Sequence, residues 1–298
     1  MSETITEGAA DALAAEAHEH PIMLPHQPHK APIVEFRHVF KRFEDGRAGQ
    51  SLEVLKNFSF KIESKEAGAF VVLLGPSGCG KSTVLSLISG LALADEGEVN
   101  VMGKPVTGPT PESATVPQAY TCYPWLNVLS NVEFGLDIRG EVRDKKRRRE
   151  IAMEYLQKVG LEDRHSAHPK QLSGGMQQRV AIARTLAMKL PIVLMDEPFG
   201  ALDAQTRTEM QQMVLKLWGE EKNTIIFVTH DIAEALLLGD RVIVFPSRPL
   251  KEEFFEVTNL DSQLGHDRPP ELMRDERFLQ LYERLRQELK KKPAAPQT

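Results

Sequence analysis

Cysteine is nearly missing from this 298-residue chain, which has only Cys79 and Cys122. Two thiols cannot build a disulfide framework, and their scarcity fits a reducing compartment. Long apolar runs are missing as well. The longest extends from Ala69 to Leu74, far short of the ~20 residues a membrane-crossing helix needs. The first residues, Met1-Ser2-Glu3-Thr4, open neither a basic nor an apolar segment, so no secretory leader is expected. Nor is there a large excess of either charge. Lys and Arg number 37 against 42 Asp and Glu, a net −5, which lends no support to nucleic-acid binding by bulk electrostatics. What is present, 41% hydrophobic and 27% charged residues, is the balance of a folded domain with a sizeable core.

The texture changes three times along the chain. Residues 1–32 are rich in Glu, Ala, His and Pro and read as a disordered tail. Four of the nine histidines (His18, His20, His26, His29) lie there. Their spacing matches no helix face and no paired cysteine motif, so a solvated segment is expected rather than a metal site. From residue 33 to 246, short apolar runs alternate with helical patterns. Strands are expected at Ile33–Phe36, Phe58–Ile62, Ala69–Leu74, Glu98–Val101, Ile192–Met195, Thr224–Thr229 and Arg241–Phe245. Helices are expected over Lys81–Ser89, Gly174–Lys189 and Asp203–Trp218. This alternation predicts an α/β fold with a mixed, largely parallel sheet. Residues 118–170 hold no strand pattern and read as inserted helices. Beyond 246 prolines punctuate an extension whose one helix places Phe278, Leu281, Tyr282, Leu285 and Leu289 on a single face. That face either packs on the same domain or meets a second copy, and the end of the chain reads as disordered.

Chemistry enters at Gly75-Pro76-Ser77-Gly78-Cys79-Gly80-Lys81-Ser82-Thr83, a G-x-x-x-x-G-K-[ST] phosphate loop (Walker A) between a strand and a helix. Glycines let backbone N–H groups wrap a phosphate, and the helix N-terminus adds its positive dipole end. Lys81 would reach the terminal phosphates and Ser82 would ligate Mg²⁺. Cys79 serves equally as a redox switch or as a small residue filling the turn. The apolar run Ile192–Met195 ends in Asp196 and Glu197. Asp196 is placed to hold Mg²⁺ and Glu197 to act as general base on the attacking water. No Asn-Lys-x-Asp motif reads guanine.

A second anion site is expected at Leu172-Ser173-Gly174-Gly175-Met176-Gln177-Gln178-Arg179, where a Ser N-cap and bare glycine amides open a helix. This string resembles the signature of ATP-binding-cassette (ABC) ATPases. Other stretches fall in the order of that family: Gln118 resembles the Q-loop glutamine, Phe199–Asp203 the D-loop and Val228–Asp231 the switch-histidine segment. Phe43 matches the aromatic position that stacks on adenine, with Phe36 and Phe40 as neighbouring alternatives. The resemblance implies an ABC-type core with an N-terminal antiparallel β subdomain and a helical subdomain at about 119–172. It also implies that Lys81, Ser82, Gln118, Asp196, Glu197 and His230 act in cis. Ser173, Gly174, Gly175 and Gln177 would act in trans, with Asp203 in the D-loop and Mg²⁺ held by Ser82, Asp196 and Gln118. One copy of each motif then requires a partner cassette, a second copy or a paralogue.

A finer resemblance starts at Gln118. The stretch Gln118–Val128 followed by Asn131–Leu136 is similar to nitrate/sulfonate/taurine-type importer ATPases, although Pro117 and Cys122-Tyr123 depart from their pattern. This implies an ATPase peripheral on the cytoplasmic face of the cell membrane, bound to permease subunits and served indirectly by a solute-binding protein. The departures imply either an unusual permease contact or repacking of one apolar patch. A soluble ABC ATPase of DNA repair or translation is the alternative. The basic run Arg143–Arg149 reads as a solvated helix face, leaving no nucleic-acid partner.

Overall fold

The computed structural model describes residues 31–45, 50–118, 122–246, 249–251, 254–258, 260 and 268–290. The tail expected up to residue 32 therefore lies almost wholly outside the described residues, as does the end beyond 290.

Two sheets organise the molecule. The first is antiparallel and four-stranded, in the order β2-β1-β4-β5, from β1 (Val34–Asp45), β2 (Gln50–Ile62), β4 (Glu96–Val101) and β5 (Lys104–Pro105). The second has six strands in the order β10-β9-β3-β8-β7-β6. Its β3 (Ala69–Leu74), β6 (Ser113–Val116), β7 (Ile192–Asp196), β8 (Thr224–Thr229) and β9 (Arg241–Val244) run parallel, and β10 (Phe255–Val257) closes one edge antiparallel.

Strand β3 shows why the parallel sheet needs two covers. All six of its residues are buried, as expected of a strand with no solvent face. Side-chain alternation sends Ala69, Val71 and Leu73 to one side, where they pack with Phe36, Phe58, Val84 and Ile88. That side is covered by the antiparallel sheet and by α1 (Lys81–Ile88). Phe70, Val72 and Leu74 face the other side, against a layer of helices. These are α4 (Gly174–Ala187), α5 (Ala204–Glu221) and α6 (Ile232–Leu238), with α2 (Val128–Arg139) and α3 (Lys145–Lys158) beyond α4.

The inserted helices share this second core rather than forming a separate one. Tyr155 of α3 is fully buried in the same cluster as Phe70 and Phe227. The sheet also continues past residue 246 through β10. Helix α7 (Glu276–Lys290) buries Phe278, Leu281 and Leu285 against α6 and β9, so the predicted apolar face packs on its own chain. Arg268 secures the approach to it: its buried guanidinium donates to the carbonyls of Gly239 and Leu236.

Candidate active site

The parallel strands deliver their C-terminal ends to one edge, where an open α/β sheet places its ligands. After Leu74 the chain turns through residues 75–80 into α1. Two glycines are required sterically. A Cβ on Gly75 would lie 2.4 Å from the Phe245 carbonyl oxygen, and Gly80 has φ 114° with Val54 close behind it. Lys81, only 3% exposed, donates through Nζ to the carbonyls of Gly75 (2.7 Å) and Pro76 (2.9 Å). Its ammonium is thus held inside the loop whose amides would receive a phosphate. Cys79 lies buried beneath it, and burial pushes its thiol up, which makes it a filler rather than a reactive group.

Ser82, at the second position of α1, donates from Oγ to Asp196 Oδ1 at 3.0 Å. Burial raises the Asp196 carboxyl above the usual carboxylate range. The Ser82 hydrogen bond and Lys81 act against that rise, while nearby Glu197 adds to it. A hydroxyl and a carboxylate side by side at the phosphate loop are hard oxygen donors. Such a pair fits Mg²⁺, which takes one or two protein ligands and completes its shell with water and phosphate. Gln118 sits exposed two residues beyond β6, whose Val116 pairs with Met195, so it emerges on the same edge.

Glu197 follows Asp196 but leaves in another direction because its φ is +43°. The left-handed region costs a non-glycine residue roughly 1–2 kcal/mol. Here it is fixed by Glu197 N–H donating to Val228 O (3.1 Å) and Gly200 N–H donating to Glu197 O (3.1 Å). The turn carries Glu197 Oε2 to 3.2 Å from Nδ1 of His230, which projects from the end of β8. The two meet in a small cavity also lined by Gly200, Arg207, Thr229 and Glu234.

The signature opens α4. Ser173 is its exposed N-cap and accepts from Met176 N–H (3.3 Å). The Gln177 carboxamide turns into its own chain, donating to Pro169 O (3.1 Å) and Leu172 O (3.3 Å). Gly175 is buried, and a Cβ there would come 2.8 Å from Thr206 Cγ2, so it sets how closely α4 approaches the start of α5. Asp203 caps α5, accepting from Thr206 N–H (3.0 Å), and the Thr206 contact holds its carboxyl below the usual range. Among the aromatic alternatives, Phe36 is core at 2% exposed, whereas Phe43 is 43% exposed with Lys41 Nζ 5.3 Å from its ring centroid.

The segment after Gln118 rests on residues whose role is tertiary. Asn131, fully buried, accepts from Tyr123 N–H (2.7 Å) and donates to the carbonyls of Tyr123, Leu126 and Asn127. Tyr123 stacks edge-on to Phe134 at 4.7 Å with the Arg184 guanidinium 4.7 Å from its ring. Cys122 Sγ contacts Gln177 O at 3.3 Å. Cys122 and Tyr123 therefore fill space between α2 and α4. Gln211 and Glu234, which form a buried hydrogen-bonded group with Thr229 behind His230, went unrecognised in the sequence. The one local clue was Asp231-x-x-Glu234, the spacing of a capping box.

Comparison with known proteins converges on this geometry. Residues 55–200 match the family model described as ABC transporter. The nitrate import ATP-binding protein of Synechocystis sp. is 47% identical over 204 residues, 68% of this chain and 74% of that protein. The bicarbonate transport ATP-binding protein of the same organism is 40% identical over 228 residues, 76% and 79% of the two chains. A solved dimeric ATP-binding cassette, in a post-hydrolysis state bound to ADP and Pi, superposes with a TM-score of 0.65. It is 36% identical, and the match covers 75% of this chain and 98% of that one. With relatives of this closeness, the chain belongs to the ATP-hydrolysing ATP-binding subunits of the ABC transporter family.

Proposed function

We propose that the chain energises a membrane importer for a small anion or organic solute of the nitrate, sulfonate, taurine or bicarbonate type. The observation that carries the hydrolytic half is the pairing of Glu197 with His230 beside Ser82 and Asp196. Glu197 takes the proton of a water attacking the γ-phosphorus as the bond to the ADP oxygen breaks. His230 orients the Glu197 carboxylate and faces the departing phosphoryl group. Lys81 and the amides of residues 75–82 hold the phosphate chain in line. Ser82 and Asp196, with Gln118 on the same edge, would hold Mg²⁺, which would supply positive charge to the phosphate chain.

The importer half rests on the nitrate and bicarbonate relatives. In the proposed arrangement the permease is a separate chain and this one sits peripherally on its cytoplasmic face; among the described residues no helix is long and apolar enough to cross a membrane. Exposed Trp125 (71%), within the Q-loop stretch, is a surface suited to it. A second cassette, most simply another copy, would bring its Ser173 and Gly175 amides to the nucleotide, and a solute-binding protein would select cargo upstream.

Affinity purification of the tagged chain from detergent-solubilised membranes tests the reading. An integral-membrane permease should co-purify; recovery of only ribosomes or DNA would replace it with a soluble ABC ATPase. Specific activity should fall on dilution below the dimerisation range, whereas concentration-independent activity of a monomer would remove the partner cassette.

A further inference from the structure

We infer that Glu234 is a positioning residue for hydrolysis, holding the Thr229–Asp231 turn so that His230 stays against Glu197 and tying that turn to α5. The inference rests on the reading of Glu197 and His230 as the hydrolytic pair, and it concerns a residue outside every motif discussed above.

Glu234 is only 6% exposed, and the Arg207 charge favours its ionised form. Its Oε2 accepts from the Thr229 hydroxyl at 2.5 Å and its Oε1 from Gln211 Nε2 at 3.1 Å. The Thr229 hydroxyl oxygen in turn accepts from the Asp231 N–H at 3.0 Å. These bonds bracket His230 on both sides in sequence. In a capping box the N3 carboxylate would reach the N-cap amide directly. Here Thr229 is interposed, so the carboxylate grips the end of β8 and the start of α6 together.

The link to α5 has a second rung. Arg207, one helical turn before Gln211, donates to Leu202 O (3.1 Å), and its guanidinium lies 4.0 Å from Asp231 Oδ2. Residues four apart on α5 thus face residues three apart on α6, the spacings that share a helix face. The group joins the segment holding Asp203 to the turn holding His230. A buried carboxylate costs stability unless it is fully hydrogen-bonded, and burial does push the Glu234 carboxyl up. Its retention at a place where it sets the geometry of a catalytic pair is what a positioning role predicts.

The test is steady-state ATP hydrolysis by the full chain bearing Glu234→Ala, Glu234→Gln or Thr229→Val, with Glu197→Gln as reference. Displacing a catalytic group by about 1 Å costs up to ~10² in rate. Glu234→Ala and Thr229→Val should therefore lower kcat at least tenfold while KM for ATP stays within twofold, because residues 75–83 are untouched. Glu234→Gln should rescue most of the rate, since a carboxamide accepts from Thr229 and pairs with a reoriented Gln211 amide. Thr229→Val is isosteric and carries the test if Glu234→Ala fails to fold. A kcat within twofold of wild type in Thr229→Val, or a Glu234→Gln variant as slow as Glu234→Ala, overturns the inference. Persisting turnover in Glu197→Gln would overturn the hydrolytic pair itself and the inference with it; loss there with full activity in Thr229→Val defeats the positioning role alone.

Discussion

The Glu197 carboxylate and the His230 imidazole come from the ends of adjacent parallel strands and meet at 3.2 Å. Neither would reach the other from regular strand geometry. The left-handed turn at Glu197 brings the carboxylate round, and the Thr229–Asp231 turn presents the ring. Strain of this kind persists where the surroundings over-determine it, and here backbone bonds to Val228 and Gly200 do so.

Replacing His230 with Ala should therefore reduce kcat by about 10² or more, the range for loss of a group that assists proton transfer. ATP binding, followed by equilibrium titration with a fluorescent analogue, should change less than threefold. A kcat loss under fivefold would show that Glu197 needs no such partner.

Asp196 makes a stability prediction with a definite sign. Its folded-state carboxyl is raised by burial, so the unfolded chain ionises more readily. The stability gained from the protonated form is complete below the ordinary value of 3.8 and is lost as pH rises through the folded value. At neutral pH the ligand-free protein thus carries a destabilising charge. Asp196→Asn should have the higher Tm at pH 7, with the difference shrinking as pH falls below 4. Added Mg²⁺ and ATP should raise the wild-type Tm more than that of the variant. An unchanged Tm difference across that pH range would contradict the assignment.

How much of this was legible in the sequence depended on whether the determining contact was local. Ala69–Leu74 and Thr224–Thr229 were readable as buried strands because every residue in them is apolar or β-branched, and the structure has the same bounds. β1 runs on to Asp45 and β2 begins at Gln50, well beyond the expected runs; their extra residues mix buried Val39, Val54 and Leu55 with polar ones in no clean alternation, and the pairing carries several bulges. β6 escaped notice because only Val116 of Ser-Ala-Thr-Val is buried. Motif residues such as Lys81, Asp196 and Glu197 were legible because their chemistry is written in consecutive positions. Glu234 and Gln211 were not, since the bond between them spans 23 positions and exists only once α5 packs on α6. Gln177 shows the converse. Its neighbours in the signature point it toward a partner cassette, but the helix and the preceding turn give its amide two acceptors at home.

Gly75 tests the loop geometry independently of catalysis. An added methyl would strike the Phe245 backbone oxygen at 2.4 Å, and a backbone atom of a buried strand neighbour has little freedom to move. Gly75→Ala should lower ATP affinity at least tenfold by displacing the loop that holds Lys81. Wild-type affinity in an equilibrium titration would show that the loop adapts.

The two thiols should be slow to react. Burial pushes Cys122 to about 11 from an ordinary 9.0, and Cys79 is raised by the same cause. At pH 8 a two-unit rise lowers the thiolate fraction roughly 100-fold, and thiolate is the reacting species. A disulfide reagent should titrate Cys122 about 100 times more slowly than free cysteine, and Cys79, which is buried, should also react slowly, with both released on unfolding. Rapid modification of Cys79 accompanied by loss of ATP binding would restore the redox-switch reading.

Tyr155 tests how the inserted helices are joined to the core. Its Oη donates to Glu221 Oε1 at 2.6 Å, and Lys158 Nζ reaches the same oxygen at 3.0 Å, linking α3 to the last turn of α5. The ring is fully buried, and burial together with Glu221 keeps the phenol protonated. Tyr155→Phe removes one charge-assisted hydrogen bond without opening a cavity, so it should cost about 1.5–3 kcal/mol. Lys158 remains to neutralise Glu221, which favours the lower part of that range. The midpoint of urea unfolding should fall with an unchanged slope. A smaller slope would instead mean that the helices have come away from the core in the native state, and no shift in the midpoint would remove this bond from the contacts that hold them.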